Sequence, residues 1–280
     1  MDSTVVSGSK EQKRVSLKER SKRFVRQVKV LHPAINETKF AVQFAVRKLM
    51  RRPHEDIFYA FRELEVDGND EDHIFLDIGA NRGQTIESVR MFRGFRLLSL
   101  EPQPYLAERL RSRYRKVRNV SVHNVGVSSS KGWLKLFVPF YNGVCFDGLA
   151  SLDREDATRF FFKRRQLIWF NENLLEVKEV NVECLRVDEL KVEPLVLKAD
   201  VQGAEMLVLE SARETIQRAG PMILLETPSE GAEIAFLREF GYRPYIFDRG
   251  RLVAGTGRRE VLFLTPKHET RFGSILQRER

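Results

Sequence analysis

The sequence predicts an α/β fold built on a mostly parallel sheet with helices on both faces. From residue 74 to residue 265, short apolar segments of strand length alternate with longer segments of helical character. The first apolar segment, Ile74–Gly79, leads through a turn of small residues into a helix-like segment. A strand, a glycine turn and a helix N-terminus in that order form the ligand site of open parallel sheets.

Charge divides the chain into a basic N-terminal part and a nearly neutral body. Residues 1–52 hold 14 Lys and Arg against 4 acids, whereas the remainder holds 34 against 35. We therefore expect residues 1–70 to be a basic extension, partly disordered and partly helical. Residues 10–52 are expected to contact an anionic membrane or polysaccharide, and the plainer alternative is a solvated arm that aids solubility. No specific nucleic-acid partner is expected.

The predicted elements follow the chain in order. Val15–Val30 is a candidate amphipathic helix, and Asn36 is expected to cap a second helix whose apolar face packs on the body. Further helices are predicted at Asp56–Leu64, Gly83–Phe92, Gln103–Val117, Ala204–Ala219 and Glu230–Phe240. Strands are predicted at Ile74–Gly79, Phe95–Glu101, Asn119–Val127, Gly132–Pro139, Val177–Leu185, Pro194–Ala199, Pro221–Glu226, Tyr242–Phe247 and Glu260–Thr265, with one of the last two antiparallel. Residues 71–266 form the expected catalytic domain, and 267–280 form a tail.

The turn after the first strand reads Gly-x-Asn-x-Gly, with Gly79, Asn81 and Gly83 at the fixed positions. A dinucleotide pyrophosphate requires a second glycine where Asn81 stands, because the backbone must come close to the phosphates. The turn therefore fits a nucleoside without a pyrophosphate, and S-adenosylmethionine is the common one.

Three polar residues near the turn are candidate cofactor ligands. Glu101 ends the second strand, 24 residues after Asp77, where a carboxylate can accept both ribose hydroxyls. The alternative is that Glu101 only caps the following helix. Asp77 either holds the turn backbone or reaches the ammonium of the methionine part. Asn124 either contacts the adenine or stabilises a bend at the strand end.

A second polar cluster is predicted around Lys198, the one charged residue in an apolar strand, which should be paired if it is buried. Asp200 ends that strand, Glu205 begins the next helix, and Glu226 ends the next strand. Carboxylates that repel one another in a cleft have raised pKa values, so one of them is a candidate general base. For Glu205, the alternative is stabilisation by the helix dipole. The histidines are scattered, and no metal site is expected.

Residues 140–175 interrupt the alternating pattern and are the expected source of specificity. They combine aromatic residues with the basic triplet Lys163-Arg164-Arg165. Aromatic rings stack on sugars or apolar substrates, and the segment is predicted to lie over the cleft as a substrate cap. The alternative is a small helical cap whose aromatic residues fill a core. The aromatic residues are Tyr141, Phe146, Phe160, Phe161, Phe162, Trp169 and Phe170.

These motifs together resemble the FkbM family of S-adenosylmethionine-dependent methyltransferases. The resemblance is carried by Phe75–Gly83, Glu101-Pro102, Lys198–Glu205 and Ile223–Glu226. It implies a class I methyltransferase fold, Rossmann-like, with a seven-stranded sheet whose last strand is antiparallel. It also implies O-methylation, often of sugar hydroxyls in polysaccharides, glycolipids or secondary metabolites. Asp77, Gly79, Asn81, Gly83 and Glu101 would then bind the cofactor, and Lys198, Asp200 and Glu205 would line the reaction site. The chain departs from the family pattern at Gln202, where an acid is frequent.

Two other functions are weighed against O-methylation. The basic arm fits a nucleic-acid methyltransferase, but the body has no basic excess. A non-catalytic nucleoside-binding module is disfavoured by the intact cofactor motif. Cys145 and Cys184 form no disulfide framework, and no apolar segment has the length of a signal peptide or membrane span. The expected location is cytoplasmic, with a peripheral position at the membrane surface as a variant of it.

Overall fold

The computed structural model describes residues 42–162, 170–226 and 231–277. The predicted Val15–Val30 helix, the Asn36 cap, the basic triplet 163–165 and Trp169 lie outside the described residues. The strands are β1 (Ile74–Ile78), β2 (Arg96–Leu100), β3 (Val120–His123), β4 (Gly126–Val127), β5 (Gly132–Tyr141), β6 (Val144–Cys145), β7 (Leu175–Leu185), β8 (Pro194–Ala199), β9 (Met222–Glu226), β10 (Arg243–Asp248), β11 (Arg251–Ala254), β12 (Glu260–Leu264) and β13 (Leu276–Gln277).

The helices alternate with these strands. They are α1 (residues 42–49), α2 (Gln84–Arg90), α3 (Pro104–Tyr114), α4 (Arg154–Phe162), α5 (Glu205–Ser211), α6 (Arg213–Ala219), α7 (Ala232–Glu239) and α8 (Pro266–Glu269). Short 3-10 segments cover Asp56–Arg62, Asp70–Asp72, Asp147–Leu149, Glu172–Leu174, Val187–Leu190 and Thr270–Ile275. The single helix predicted over Ala204–Ala219 is divided, because Ala212 leaves helical geometry with φ −104° and ψ 7°. No helix among the described residues is long and apolar enough to cross a membrane.

The main sheet has the order β13-β11-β10-β12-β9-β8-β1-β2-β3. Its central strands are parallel, and β12 runs antiparallel to both neighbours, β9 and β10. This topology confirms the mostly parallel sheet with an antiparallel strand near the chain end. The seven strands from β10 to β3 form the expected sheet, while β11 and β13 extend it at one edge.

The apolar character of the central strands explains why they lie in the middle. Phe75, Val196 and Leu224 belong to the buried core on one face of the sheet. The residues that follow them in the chain, Leu76, Leu197 and Leu225, point to the opposite face and belong to the other core. Full burial of one such side chain stabilises the fold by roughly 1.5–3 kcal/mol, so both helical layers are held tightly.

Two predicted strands, Gly132–Pro139 and Val177–Leu185, belong to a second sheet and not to the main one. They correspond to β5 and β7, which pair antiparallel in the sheet β4-β7-β5-β6. The predicted third strand is also divided, because β3 ends at His123 and β4 joins the second sheet from Gly126. The chain therefore leaves the main sheet at this point and builds a separate wall.

Helix α1 is the described part of the helix predicted after Asn36, whose predicted apolar face is Phe40, Ala41, Phe44 and Ala45. Phe44 of that face lies against the body, Ala45 is exposed, and residues 40 and 41 lie outside the described residues. Val42, Val46 and Leu49 are exposed. Phe44 and Arg47 are half-buried, and the Arg113 guanidinium lies 5.1 Å from the centre of the Phe44 ring. The inner face of the helix is therefore the one with Phe44 and Arg47, and the apolar stripe faces solvent.

Candidate active site

A cavity of about 620 Å³ lies at the carboxyl ends of β1, β2 and β8, which is the ligand side of an open parallel sheet. The second sheet closes it from above through Leu134, Leu136 and Val182. Five carboxylates and two guanidinium groups belong to its lining residues, so the wall is acidic although the whole chain is basic. These charged residues are Glu55, Asp147, Asp153, Asp156, Asp200, Arg82 and Arg259.

The turn after β1 requires its glycine at position 79. The amides of Gly79 and Ala80 both donate to the Leu100 carbonyl, at 3.0 and 3.1 Å. Gly79 has a φ of +84°, and a Cβ at this position would lie 2.0 Å from the Asp200 carbonyl oxygen. The turn after β1 and the loop after β8 therefore touch backbone to backbone.

Glu101 is buried beneath this turn and joins it to α3. Its carboxylate accepts hydrogen bonds from the amide of Asn81 at 2.6 Å and from the amide of Gln103 at 2.9 Å. Burial raises the pKa of Glu101 to about 7, and the two amide bonds oppose this only in part. Asn81 and Gln103 both line the cavity. Glu101 thus has the predicted position and also makes the capping contact named as the alternative, while its contact with ribose stays a prediction.

Asp77 and Asn124 occupy the same region with different partners. Asp77 is fully buried and accepts a hydrogen bond from Ser99 Oγ at 3.3 Å, and its Oδ1 has no partner among the described residues. Burial raises the pKa of Asp77 to about 6, while Lys198 acts in the opposite direction. Asn124 donates to the carbonyls of Glu101 and Pro102, both at 2.9 Å, so it stabilises the strand end and does not line the cavity.

Lys198 is the buried cation of the site, and the structure confirms that it is paired. Its Nζ lies 3.3 Å from Asp200 Oδ2, and its side chain is 4% exposed. Burial favours the neutral amine, but the charges of Asp200, Asp77 and Glu55 outweigh it and raise the pKa of Lys198. The Lys198 ammonium therefore interacts with carboxylates from three separate segments, namely Asp77 of β1, Asp200 after β8 and Glu55 of the N-terminal segment.

Gln202, where the chain departs from the family pattern, bridges two carboxylates. Its Nε2 lies 3.0 Å from Asp200 Oδ1 and 3.2 Å from Glu226 Oε2. Burial raises the pKa of Glu226 to about 7, helped by Asp200 and opposed by Arg259, which pairs with Glu226. For Asp200, burial acts in the raising direction, but Lys198 and hydrogen bonds from Glu226 and Gln202 lower its pKa to about 2. Because the Gln202 amide is neutral, it does not add a third carboxylate beside Asp200 and Glu226, as an acid at this position would.

Glu205 supports the loop between β8 and α5. Its Oε1 accepts hydrogen bonds from the amides of Val201 and Gly203, at 3.2 and 3.3 Å. The side chain is buried and is absent from the lining of the cavity. This geometry agrees with a role at the helix N-terminus, and its predicted contact with the reaction centre stays untested.

Two cavity residues, His54 and Glu55, come from the N-terminal segment and were missed by the sequence analysis. Burial raises the pKa of Glu55 to about 7, with Lys198 acting in the opposite direction. His54 keeps an exposed face, but partial burial at the cavity edge and the nearby Arg47 lower its pKa to about 4. The His54 amide donates to Ser88 Oγ at 2.9 Å, which fixes the segment against α2.

Part of the segment 140–175 reaches the cavity, but the aromatic residues of its described part are absent from the cavity lining. Asp147 Oδ2 accepts a hydrogen bond from Arg82 Nε at 2.5 Å, and its carbonyl accepts one from Gln103 Nε2 at 3.1 Å. Residues 147, 148, 150–153 and 156 line the cavity. Tyr141 and Phe161 instead stack at 5.6 Å in a small core of their own. Among the described residues, the aromatic side chains therefore fill a small core of their own, which is the alternative to a substrate-binding role.

Comparison with known proteins identifies the family. Residues 77–244 match the Methyltransferase FkbM domain. The chain belongs to the FkbM methyltransferase family. His54 and Glu55 therefore lie outside the matched FkbM domain, although they line the same cavity as Asp200. Among the described residues, no group of three or more His, Cys, Asp or Glu side chains is placed to hold a metal ion.

Solved structures give weak similarities to other methyltransferases. The FkbM methyltransferase from Methylobacillus flagellatus KT is 14% identical, with 76% of this chain and 48% of that chain covered and a TM-score of 0.43. This chain thus spans about half the length of that FkbM protein. The precorrin-6y C5,15-methyltransferase from Geobacter metallireducens GS-15 is 12% identical, with 73% and 82% covered and a TM-score of 0.37. No curated protein matches the chain.

Proposed function

We propose that this FkbM protein transfers a methyl group from S-adenosylmethionine to a hydroxyl of a sugar acceptor in a polysaccharide, glycolipid or glycosylated metabolite. One observation carries the proposal. The turn after β1, which ends at the predicted cofactor side, touches the loop that presents Asp200, with a Cβ position at Gly79 only 2.0 Å from the Asp200 carbonyl. Two reactants bound on either side of this contact are held close together, as bimolecular group transfer requires.

The residues at the turn fit the cofactor. The cavity volume of about 620 Å³ lies within the range of small-molecule sites. Gly79, Ala80 and Asn81 line one side of it, and the buried Asp77 in β1 precedes this turn. Glu101 lies between the lining residues Asn81 and Gln103 and would accept the ribose hydroxyls. When bound, S-adenosylmethionine would supply a methyl carbon that an oxygen nucleophile attacks in line, with the new O–C bond forming as the C–S bond breaks and the neutral thioether leaving.

Glu55 is the carboxylate best suited to take the proton of the acceptor hydroxyl. A general base is most effective when its pKa lies near the working pH. Glu55 lines the cavity and its pKa is raised to about 7, chiefly by burial. Asp200 also lines the cavity, but its pKa of about 2 makes it a weak base. We therefore assign Glu55 to proton removal and Asp200, held by Lys198, to orientation of the acceptor.

The acidic wall favours a neutral acceptor over a nucleic acid. Five carboxylates face two guanidinium groups around the cavity. A polyanion entering this space would lose its counterions without gaining matching cations from the protein. A sugar hydroxyl meets no such repulsion, since carboxylates accept hydrogen bonds from hydroxyl groups.

Methyl-label transfer into fractionated extracts of the native cell tests the proposal. The full-length protein is incubated with S-adenosylmethionine labelled on the methyl carbon, and the labelled product is identified. The assignment is supported if the label is found in a glycan, glycolipid or glycoside and survives hydrolysis that would remove a methyl ester. Label found only in nucleic acid or protein contradicts it. Tight cofactor binding with no labelled product in any fraction would favour the non-catalytic binding module.

A further inference from the structure

We infer that the outer face of α1 is a docking surface for an anionic lipid bilayer. The helix has an inner and an outer side. On the inner side, Phe44 lies under Arg113, and Arg47 donates to the carbonyls of Pro53 and His54, at 2.6 and 3.1 Å. These contacts fix the orientation of the helix on the body, and the opposite side must face outward.

The outer side is apolar. Val42, Val46, Leu49 and Met50 are 55%, 47%, 85% and 63% exposed. At 3.6 residues per turn, positions 42, 46 and 49 fall on one stripe of a helix. A stripe of aliphatic side chains held outward by contacts on the opposite side is the geometry of a helix that lies in a membrane interface.

The charges around the stripe select an anionic surface. Residues 42–53 contain four cations and no acid. Apart from Arg47, which bonds to backbone carbonyls, the cations Lys48, Arg51 and Arg52 are exposed next to the apolar residues. Lys and Arg side chains near an anionic bilayer surface are attracted to it, and residues 1–41 hold a further 10 Lys and Arg against 4 acids. Apolar insertion and electrostatic attraction therefore point to the same partner.

This surface is close to the cavity in the chain. The helix ends at residue 49 and His54 already lines the cavity. Five residues span at most about 18 Å even when fully extended. A bilayer bound to α1 would therefore lie within a short distance of the cavity edge. The docking itself does not depend on the proposed reaction.

Vesicle co-sedimentation with the full-length protein tests the inference. Vesicles of phosphatidylcholine alone are compared with vesicles that contain about 30% phosphatidylserine, at low and high salt. The protein should sediment with the anionic vesicles only and should be released by salt. The double variant Val46→Glu/Leu49→Glu should bind roughly tenfold more weakly or not at all. Leu174→Glu changes an exposed leucine of another surface and should bind like the unchanged protein.

A second variant distinguishes weaker membrane binding from loss of folding. Arg51→Gln/Arg52→Gln keeps the apolar stripe, and it should weaken binding to anionic vesicles by roughly tenfold. Unchanged binding of either double variant, or equal binding to both kinds of vesicle, overturns the inference. The inference is also overturned if the protein binds no vesicles, because the stripe then has no lipid partner. It is overturned as well if the protein is a dimer that Leu49→Glu converts to a monomer, because the stripe is then covered by a second copy of the chain.

Discussion

The backbone of Gly79 meets the backbone of Asp200 so closely that a Cβ at position 79 would lie 2.0 Å from the Asp200 carbonyl oxygen. Real Cβ atoms do not approach oxygen this closely, so either β1 or β8 must move when the glycine is replaced. The same contact joins the turn at the proposed cofactor side to the loop at the proposed acceptor side. Substitutions at this place therefore test stability and the architecture of the site together.

Gly79→Ala should destabilise the protein by about 3 kcal/mol or more, because the clash with Asp200 adds to the strain of a positive φ. Chemical denaturation measures the loss, and cofactor binding should weaken in parallel. Gly250→Ala is the matched control, since Gly250 has a φ of +83° with nothing within 4 Å of the added Cβ. It should lose only about 1 kcal/mol. Equal losses in the two variants would show that the contact is unimportant.

Glu101→Gln should weaken binding of S-adenosylmethionine by roughly tenfold to a hundredfold. The carboxylate accepts from both Asn81 and Gln103, and an amide has a single acceptor oxygen. One backbone amide is then left unpaired, which costs about 1–3 kcal/mol. Isothermal titration calorimetry measures the affinity. Glu108→Gln, a change on the exposed side of α3, is the control and should bind normally.

The pH dependence of stability provides a further check on Glu101. Its pKa in the folded protein is about 7, above the ordinary 4.5. Folding therefore favours the protonated form, and this contribution is complete below about pH 4.5 and is lost as the pH rises through about 7. The unfolding free energy of the unchanged protein should fall between pH 5 and pH 8. Glu101→Gln should show a smaller fall, and an identical fall in both proteins would contradict the assignment.

Lys198→Met should destabilise the protein by about 3–5 kcal/mol at pH 8, because it leaves the neighbouring carboxylates Asp77 and Asp200 without their buried cation. The loss should be smaller at pH 5, because this pH lies below the pKa of about 6 of Asp77 and the protonated Asp77 no longer requires the cation. Denaturant unfolding at the two pH values measures it. Lys135→Met removes an exposed ion pair with Glu179 and should cost less than about 1 kcal/mol.

Glu55→Gln should reduce kcat by roughly a hundredfold or more and leave the affinity for S-adenosylmethionine unchanged, because a general base acts only on the acceptor proton. With the acceptor identified by label transfer, the rate of the unchanged protein should rise with pH through about 7, as Glu55 loses its proton. The variant should lack this rise. Glu63→Gln is the control, because Glu63 is an exposed carboxylate at the other end of the 3-10 segment that follows Glu55. A normal rate in Glu55→Gln would exclude Glu55 as the base.

Local patterns in the sequence were sufficient for the parts of the site that lie on strands. The alternation of apolar segments predicted β1 and β8, and the lone cation at Lys198 predicted a buried pair. Glu55 gave no such signal, since it belongs to a short segment without periodicity and interacts with Lys198 across 143 positions of the chain. Contacts of this range depend on tertiary packing, which a pattern of residue types does not encode.

The second sheet and α1 illustrate the same limit. Alternation predicted β5 and β7 as strands, but it contains no information about which strand is the partner, so their separate second sheet was not predicted. For α1, the predicted apolar face included Phe44, which does lie against the body. The exposure of Val42, Val46 and Leu49 on the opposite side was not predicted, because the orientation of the helix depends on tertiary contacts of Phe44 and Arg47.

The acidic wall of the cavity has a consequence for repeated turnover. Transfer of the methyl group converts a positively charged sulfonium into an uncharged thioether. The cavity lining has five carboxylates and two guanidinium groups, so its excess of negative charge attracts the sulfonium and has no such attraction for the uncharged thioether. The spent cofactor should therefore bind more weakly than the fresh one, and this preference should diminish as acid protonates Glu55. Under the proposed function, product inhibition at neutral pH should therefore be low, because the charges that attract the sulfonium do not attract the thioether.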